Sequence, residues 1–126
     1  MSGNGKQLCP CQCHWDLSWL RFGDTRIAVS DVDGLFVVER TGYFLFIETK
    51  RKDEALPKGQ EILLAALSRI PTASVVILRG DKGYPSQLQK VKNGRFEEAY
   101  ETNRQDFQRR LDTWFEEKNN LRRLIR

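Results

Sequence analysis

The run YFLFIETK at residues 43–50 constrains the fold more than any other part of the sequence. Alternate side chains of a strand point to opposite faces, and in this run both faces are largely apolar. Phe44, Phe46 and Glu48 share one face, and Leu45, Ile47 and Thr49 share the other. A strand that is apolar on both faces is central and covered on both sides. The run therefore predicts a layered α/β fold.

The flanking segments supply the partners for this strand. RIAVS at residues 26–30 and GLFVVE at residues 34–39 are β-branched and aromatic runs that predict two further strands. Arg40-Thr41-Gly42 predicts a tight turn before the third strand. Upstream, Trp15, Trp19 and Phe22 recur at helical spacing and predict a short helix over residues 15–22.

Downstream of the central strand the pattern becomes helical. Pro57 marks a helix start, and GQEILLAALSRI predicts a helix that ends before Pro71. ASVVIL at residues 73–78 predicts a buried strand. Residues 80–94 are rich in turn-forming residues and predict a loop, with at most a short edge strand at 87–92.

From Arg95 to the end, apolar side chains recur at three- to four-residue steps. This predicts a long amphipathic helix, with a break at Asn119-Asn120, whose apolar stripe packs on the sheet or forms a dimer interface. The predicted order is helix, three strands, helix, strand, helix. With 126 residues, 40% of them hydrophobic, we expect a Cys-rich segment at residues 1–14 and one domain over residues 15–126.

The residue inventory excludes several classes of enzyme. His14 is the single histidine, so a Ser-His-Asp triad and an H-E-x-x-H zinc site are excluded. No Gly-rich phosphate-binding loop is present. No apolar run reaches the roughly 20 residues that span a bilayer, and no signal-peptide pattern occurs, so we expect a cytoplasmic protein without membrane contact.

One constellation of charged residues suggests chemistry. Glu48 and Lys50 lie two apart on the central strand, so both leave the same face, and Asp33 opens the neighbouring strand. Placing two acids together near a sheet is costly unless a cation offsets their repulsion. Mg²⁺ prefers such oxygen ligands, polarises a phosphodiester and activates a bound water, while a lysine neutralises developing charge. The alternative to an active site is a set of solvated residues at a sheet edge.

The stretch SDVDGLFVVERTGYFLFIETK resembles the core of the PD-(D/E)XK nuclease superfamily, which has the restriction-endonuclease-like fold. The resemblance covers roughly residues 15–80. It matches Asp33 to the motif acid, Glu48 to the second acid and Lys50 to the lysine, and implies that the backbone carbonyl of Thr49 completes the metal shell. LPKGQ supplies Gln60, which is similar to the L-S-x-x-Q pattern of small virus-type and stand-alone phage nucleases.

The sequence also departs from the family pattern. Proline is absent before the first acid, where Ser30 or Val32 stands instead. Asp31 shares a strand face with Asp33 and is either a second metal ligand or a surface acid. Asp16 is the one acid available as an upstream ligand on the first helix. Gln60 is either a positioning group for water or phosphate, or a polar helix residue facing solvent.

A cluster of possible zinc ligands lies near the N-terminus, and its members are Cys9, Cys11, Cys13 and His14. Thiol and imidazole groups suit Zn²⁺, but this C-x-C-x-C-H spacing is tighter than the usual knuckle and no second Cys pair follows. A structural zinc site and a tail with adventitious thiols both remain open.

The basic residues favour an anionic partner, since the net charge is +4. Two basic and four acidic side chains occur in residues 31–50, against eight basic and four acidic in residues 51–94. Arg51, Lys52 and Lys58 follow the motif strand and are the predicted phosphate contacts.

Together these features predict an Mg²⁺- or Mn²⁺-dependent DNA endonuclease, acting as a homodimer where both strands are cut. Structure-selective cleavage and a phage or mobile-element origin are left open. The alternatives are a catalytically silent nucleic-acid-binding module of the same fold, and a zinc-binding interaction protein.

Overall fold

The structure is a computed structural model that describes residues 19–20, 24–25 and 33–121. Chain contacts divide the protein into two units, residues 1–31 and 32–126, and the described helices and strands all belong to the second. The helix predicted at residues 15–22, apart from Trp19 and Leu20, lies outside the described residues. The strand predicted at residues 26–30 and the boundary predicted after residue 14 also lie outside them.

The described part of the chain is a mixed α/β fold with a six-stranded sheet and two helices. The elements in chain order are β1 (Gly34–Val37), β2 (Phe44–Arg51), α1 (Lys58–Ser68), β3 (Ala73–Asp81), β4 (Tyr84–Lys92), β5 (Arg95–Phe96), β6 (Tyr100–Glu101) and α2 (Arg104–Asn119). Neither helix in these residues is long and apolar enough to cross a membrane.

The sheet has the strand order β1-β2-β3-β4-β5, and β6 also pairs with β4. β2 and β3 run parallel and are joined by α1, whereas the other pairs are antiparallel. A parallel pair needs a crossover connection, which α1 supplies. The amino-terminal end of β1 therefore lies beside the carboxyl ends of β2 and β3, at one end of the sheet.

The hydrophobic core lies on both faces of this sheet, as the central run predicted. On one face the sheet packs against α2. The sheet residues of this cluster are Leu45, Ile47, Val76 and Leu88, and the half-buried residues of α2 that contact them are Phe107, Leu111 and Trp114. On the other face Val75, Ile77 and Val91 pack with Leu64 of α1. β2 is thus covered on both sides, and the predicted packing of the last helix on the sheet is confirmed. No residue of α2 is fully buried.

The helix predicted after Pro57 is confirmed as α1. Pro57 occupies the N-cap position, where its missing N–H costs no helical hydrogen bond. Arg69 forms the C-cap two residues before Pro71. The turn predicted at residues 40–42 is also present: Gly42 has a φ of 88° and its N–H donates to the carbonyl of Val38 over 2.8 Å.

The prediction of a loop over residues 80–94 was wrong. β3 extends to Asp81, and β4 begins at Tyr84 and lies inside the sheet rather than at its edge. The two-residue turn between them, Lys82-Gly83, has φ values of 43° and 84°. Two successive positive φ angles mark a type I′ turn, whose twist suits a β-hairpin. The turn-forming residues here connect two strands and do not break either of them.

The prediction of one helix from Arg95 onward was also wrong. A second hairpin turn at Asn93-Gly94, with φ values of 51° and 81°, leads into β5, and β6 follows before α2. Phe96 and Tyr100 are four residues apart, so their spacing imitates a helix. α2 begins only after Asn103, whose side chain accepts a hydrogen bond from the Asp106 N–H over 2.7 Å. The helix ends at Asn119, at the predicted break.

Candidate active site

The β1–β2 hairpin brings Asp33 beside the end of β2. Gly34 pairs with Ile47, so one further step of the antiparallel register places Asp33 opposite Glu48. The Thr49 N–H donates to Oδ2 of Asp33 over 2.8 Å, and the Thr49 hydroxyl donates to the same oxygen over 3.0 Å. These two hydrogen bonds fix the carboxylate of Asp33, and neither of them uses its Oδ1.

Glu48 is a buried acid in β2, directly after the apolar residues 44–47. It is 6% exposed and faces α1, on the side of the sheet that carries Phe46 and Ile77. Lys50 leaves the same face, and its Nζ lies 3.6 Å from Oε2 of Glu48, with 9% of the lysine side chain exposed. Few proteins bury such residues without pairing them, and here the pair is internal to one strand.

The surroundings of Glu48 disfavour its charged form. Burial raises the pKa of the Glu48 carboxyl, and the nearby carboxylate of Asp33 raises it further. Lys50 and a hydrogen bond from Gln60 act in the opposite direction without cancelling this effect. A carboxyl whose environment resists ionisation next to a second carboxylate is a common property of catalytic and metal-binding sites.

Gln60 joins the site from the first turn of α1. Its side-chain amide is near enough to the Glu48 carboxyl to lower the pKa of that group as a hydrogen-bond donor. Its Oε1 is buried and has no hydrogen-bond partner, one of three such side-chain oxygens in the described residues. A buried acceptor without a partner is costly, and a water or a cation is a natural partner for it. Of the two alternatives for Gln60, the structure therefore favours a half-buried position beside Glu48 over a solvent-facing one.

Glu54 is a site neighbour that the sequence reasoning did not identify. Its Oε2 lies 3.8 Å from Nζ of Lys50, and its Oε1 accepts a hydrogen bond from the Arg51 N–H over 3.0 Å. The Arg51 N–H, and then the charge of Lys50, lower the pKa of the Glu54 carboxyl. The turn at residues 52–53 folds Glu54 back onto Lys50, and a polar loop sequence contains no signal for that geometry.

The backbone of Thr49 faces the Asp33 side of β2. The N–H and the carbonyl of one strand residue leave the same side of the strand. Because the Thr49 N–H points at Asp33, the Thr49 carbonyl oxygen also faces that side. The Asp33 carboxylate and the Thr49 carbonyl therefore lie on the same side of β2, and Asp33 is near enough to Glu48 to raise the pKa of its carboxyl.

The predicted phosphate contacts surround this end of the sheet. The Arg51 side chain is 85% exposed and lies 3.7 Å from Glu54, and the Lys58 side chain is 82% exposed and lies 3.5 Å from Glu61. Lys52 is exposed in the turn after β2. All three remain accessible to a large anion, and the two ion pairs are of the weak, surface kind.

The remaining predicted residues cannot be placed. Asp16 and Asp31 lie outside the described residues, as do Cys9, Cys11, Cys13 and His14. In residues 19–20, 24–25 and 33–121, no group of three or more His, Cys, Asp or Glu side chains is arranged to hold a metal ion. A cation at this site would thus rely on two carboxylates and on neutral oxygens.

Comparisons with known proteins found no relatives of this chain. No protein-family model, no curated protein and no solved structure matches the chain.

Proposed function

We propose that the protein is a metal-dependent DNA endonuclease that hydrolyses phosphodiester bonds, built on a restriction-endonuclease-like core. The observation that supports this most strongly is the buried carboxyl of Glu48, whose pKa is raised although Lys50 lies 3.6 Å away. Asp33, Gln60 and Lys50 surround it at one end of the sheet. Buried groups with a perturbed pKa and a specific charge partner cluster at functional sites, so we assign this set to function.

The donor atoms around Glu48 suit Mg²⁺ or Mn²⁺. They comprise the carboxylates of Asp33 and Glu48 and the carbonyl of Thr49. All are hard oxygen ligands, and Mg²⁺ usually takes only one or two carboxylates, with water and phosphate oxygens as its other ligands. When bound, such an ion polarises the phosphodiester and lowers the pKa of a bound water.

The protein side chains divide the remaining work. Lys50 carries its ammonium group to the edge of the carboxylate pair, where it can neutralise charge that develops on the phosphate oxygens. Gln60 orients the attacking water, which donates a hydrogen bond to the unpartnered Oε1. Thr49 holds the Asp33 carboxylate in place with two hydrogen bonds, so this acid is already positioned before substrate arrives.

The substrate is held by the exposed cations near the site. Arg51, Lys52 and Lys58 lie where a phosphate backbone would approach the end of β2, and each contact adds a salt-dependent increment to binding. Symmetric cleavage of both strands requires two copies of the site, hence a homodimer. We place this activity in the cytoplasm.

A second function rests on a separate observation. Lys50 lies between two carboxylates, Glu48 and Glu54, at 3.6 and 3.8 Å. This arrangement resembles a self-contained ion-pair network, which can also perturb a pKa. It would suit a catalytically silent nucleic-acid-binding module of the same fold.

The deciding experiment measures cleavage of supercoiled, linear and branched DNA with Mg²⁺, with Mn²⁺ and with chelator. We expect metal-dependent cleavage that falls by about a hundredfold or more in Glu48→Ala and in Lys50→Ala. Glu116→Gln, an exposed acid on α2, is the matched control and should cleave like the wild type. Metal-dependent cleavage that survives both alanine variants would refute the site, and DNA binding without any cleavage would establish the silent module.

A further inference from the structure

The tip of the β3–β4 hairpin presents an exposed aromatic ring. Tyr84 begins β4 and is 64% exposed, directly after the type I′ turn at Lys82-Gly83. At the base of the tip, a Cβ at Gly80 would clash with the Tyr84 carbonyl, so the two backbones approach closely there. The hydroxyl of Ser86 also donates to the Arg79 carbonyl over 3.3 Å. The ring is thus carried by a tightly built hairpin.

Arg104 holds the Tyr84 ring from one side. Its guanidinium carbon lies 3.9 Å from the ring centroid, and its Nε donates to the Gly83 carbonyl over 2.8 Å. Since Arg104 is the first residue of α2, the helix fixes this contact. With one ring face covered by the guanidinium, an exposure of 64% means that the other face is open to solvent.

The tip lies at the same end of the sheet as the candidate active site. Glu48 is level with Ile77, and Asp81, the partner of Tyr84, is four residues further along β3. This corresponds to about 13 Å along the strands, with about 10 Å across two strand spacings. Tyr84 lies toward α2 and Glu48 toward α1, so a chain that contacts both would pass over the end of the sheet.

The chemistry of the tip suits a nucleobase. An open aromatic face stacks on any base, and a guanidinium beneath the ring strengthens the platform. Lys82 and Arg104 supply two positive charges against the single negative charge of Asp81. A base within a duplex has no free face, so the ring selects bases that are unpaired.

We propose that Tyr84, backed by Arg104, is a stacking site for an unpaired nucleobase, so that the nucleic acid bound here has a single-stranded stretch next to the scissile region. This inference rests on the proposed function for its choice of nucleic acid as the ligand. It deepens that function by naming the substrate class as DNA with unpaired bases. Stacking itself needs neither a metal nor cleavage.

The test measures binding in chelator by fluorescence anisotropy, with a labelled single-stranded oligonucleotide of about 16 nucleotides. A second oligonucleotide of the same length lacks its bases and keeps every phosphate. We expect Tyr84→Ala to bind the first at least about fivefold more weakly and the second as the wild type does, because one stacked base contributes on that scale. Tyr84→Phe keeps the ring and should restore binding.

The control is Phe115→Ala, another exposed aromatic residue, in the second half of α2. It should bind both oligonucleotides normally, and circular dichroism should show that every variant is folded. Equal losses on the two oligonucleotides, unchanged binding by Tyr84→Ala, or a wild type that binds no single strand would each overturn the stacking site. Binding that depends on Tyr84 without cleavage of any DNA would refute the proposed nuclease and leave the stacking site standing.

Discussion

Replacement of Lys50 by methionine tests the energetic origin of the candidate site. Lys50 Nζ and Glu48 Oε2 are 3.6 Å apart, and both side chains are at least nine-tenths buried. At this separation the attraction between unit charges is about 4–5 kcal/mol with an effective dielectric constant of about 20. Methionine keeps most of the apolar volume and removes the charge, which leaves the Glu48 carboxylate buried beside Asp33 without its cation.

We expect Lys50→Met to lower the free energy of unfolding at pH 7 by about 3 kcal/mol, since removal of one partner of a buried pair typically costs about 3–5 kcal/mol. In a Glu48→Gln background the same substitution loses only the contact with Glu54, whose side chain is 35% exposed. That loss should be about 1 kcal/mol or less. The coupling free energy of the two positions is then about 2 kcal/mol.

The assay is urea unfolding of the four proteins of this double-mutant cycle, in chelator at pH 7. For a domain of this size a loss of about 3 kcal/mol moves the midpoint by about 1–2 M urea. The slope should stay constant, because the folded state is otherwise unchanged. Additive effects, with Lys50→Met equally costly in both backgrounds, would refute the electrostatic coupling between Lys50 and Glu48 that their 3.6 Å separation implies.

Three further predictions follow from the same geometry. The pKa of the Glu48 carboxyl is raised in the folded state, so the free energy of unfolding increases as the pH falls through that raised pKa. The increase is complete below about 4.5, the ordinary pKa of this group. Glu48→Gln should remove this part of the pH dependence of unfolding. Thr49→Val keeps the backbone hydrogen bond to Asp33 and loses the hydroxyl one, and chemical unfolding should show a loss of about 1 kcal/mol. Asn103→Ala removes the cap of α2 and should cost about 1 kcal/mol in thermal unfolding.

Much of the framework around the site could be predicted because it is determined by local pattern. The two apolar faces of β2 required cover on both sides, and α1 follows from its periodicity and from Pro57. The short turn at residues 40–42 fixes the hairpin register, and that register places Asp33 opposite Glu48. These features depend on alternation and turn length, both of which are visible in a single sequence.

The other features of the fold and the site depend on turns and long-range contacts that hydrophobic periodicity does not indicate. Asn93-Gly94 is a strong hairpin signal, but the four-residue spacing of Phe96 and Tyr100 suggested a helix instead. β5 and β6 contain two residues each, which is too short for any alternation to show. Glu54 reaches Lys50 only through the folding of the turn at residues 52–53. The Tyr84–Arg104 contact joins positions 20 apart, and nothing in the local sequence marks it.

The partial burial of α2 has a consequence for how the protein opens. Its apolar residues contact the sheet, yet none of its side chains is fully enclosed. Detachment of α2 therefore exposes less apolar surface per residue than separation of β2 from β3, where Val75 and Ile77 are 1–2% exposed. Local opening free energies follow such differences, so the amides of α2 should exchange with deuterium well before those of the β2–β3 ladder. β2, which carries Glu48 and Lys50, and its neighbour β3 should then exchange most slowly among the described residues.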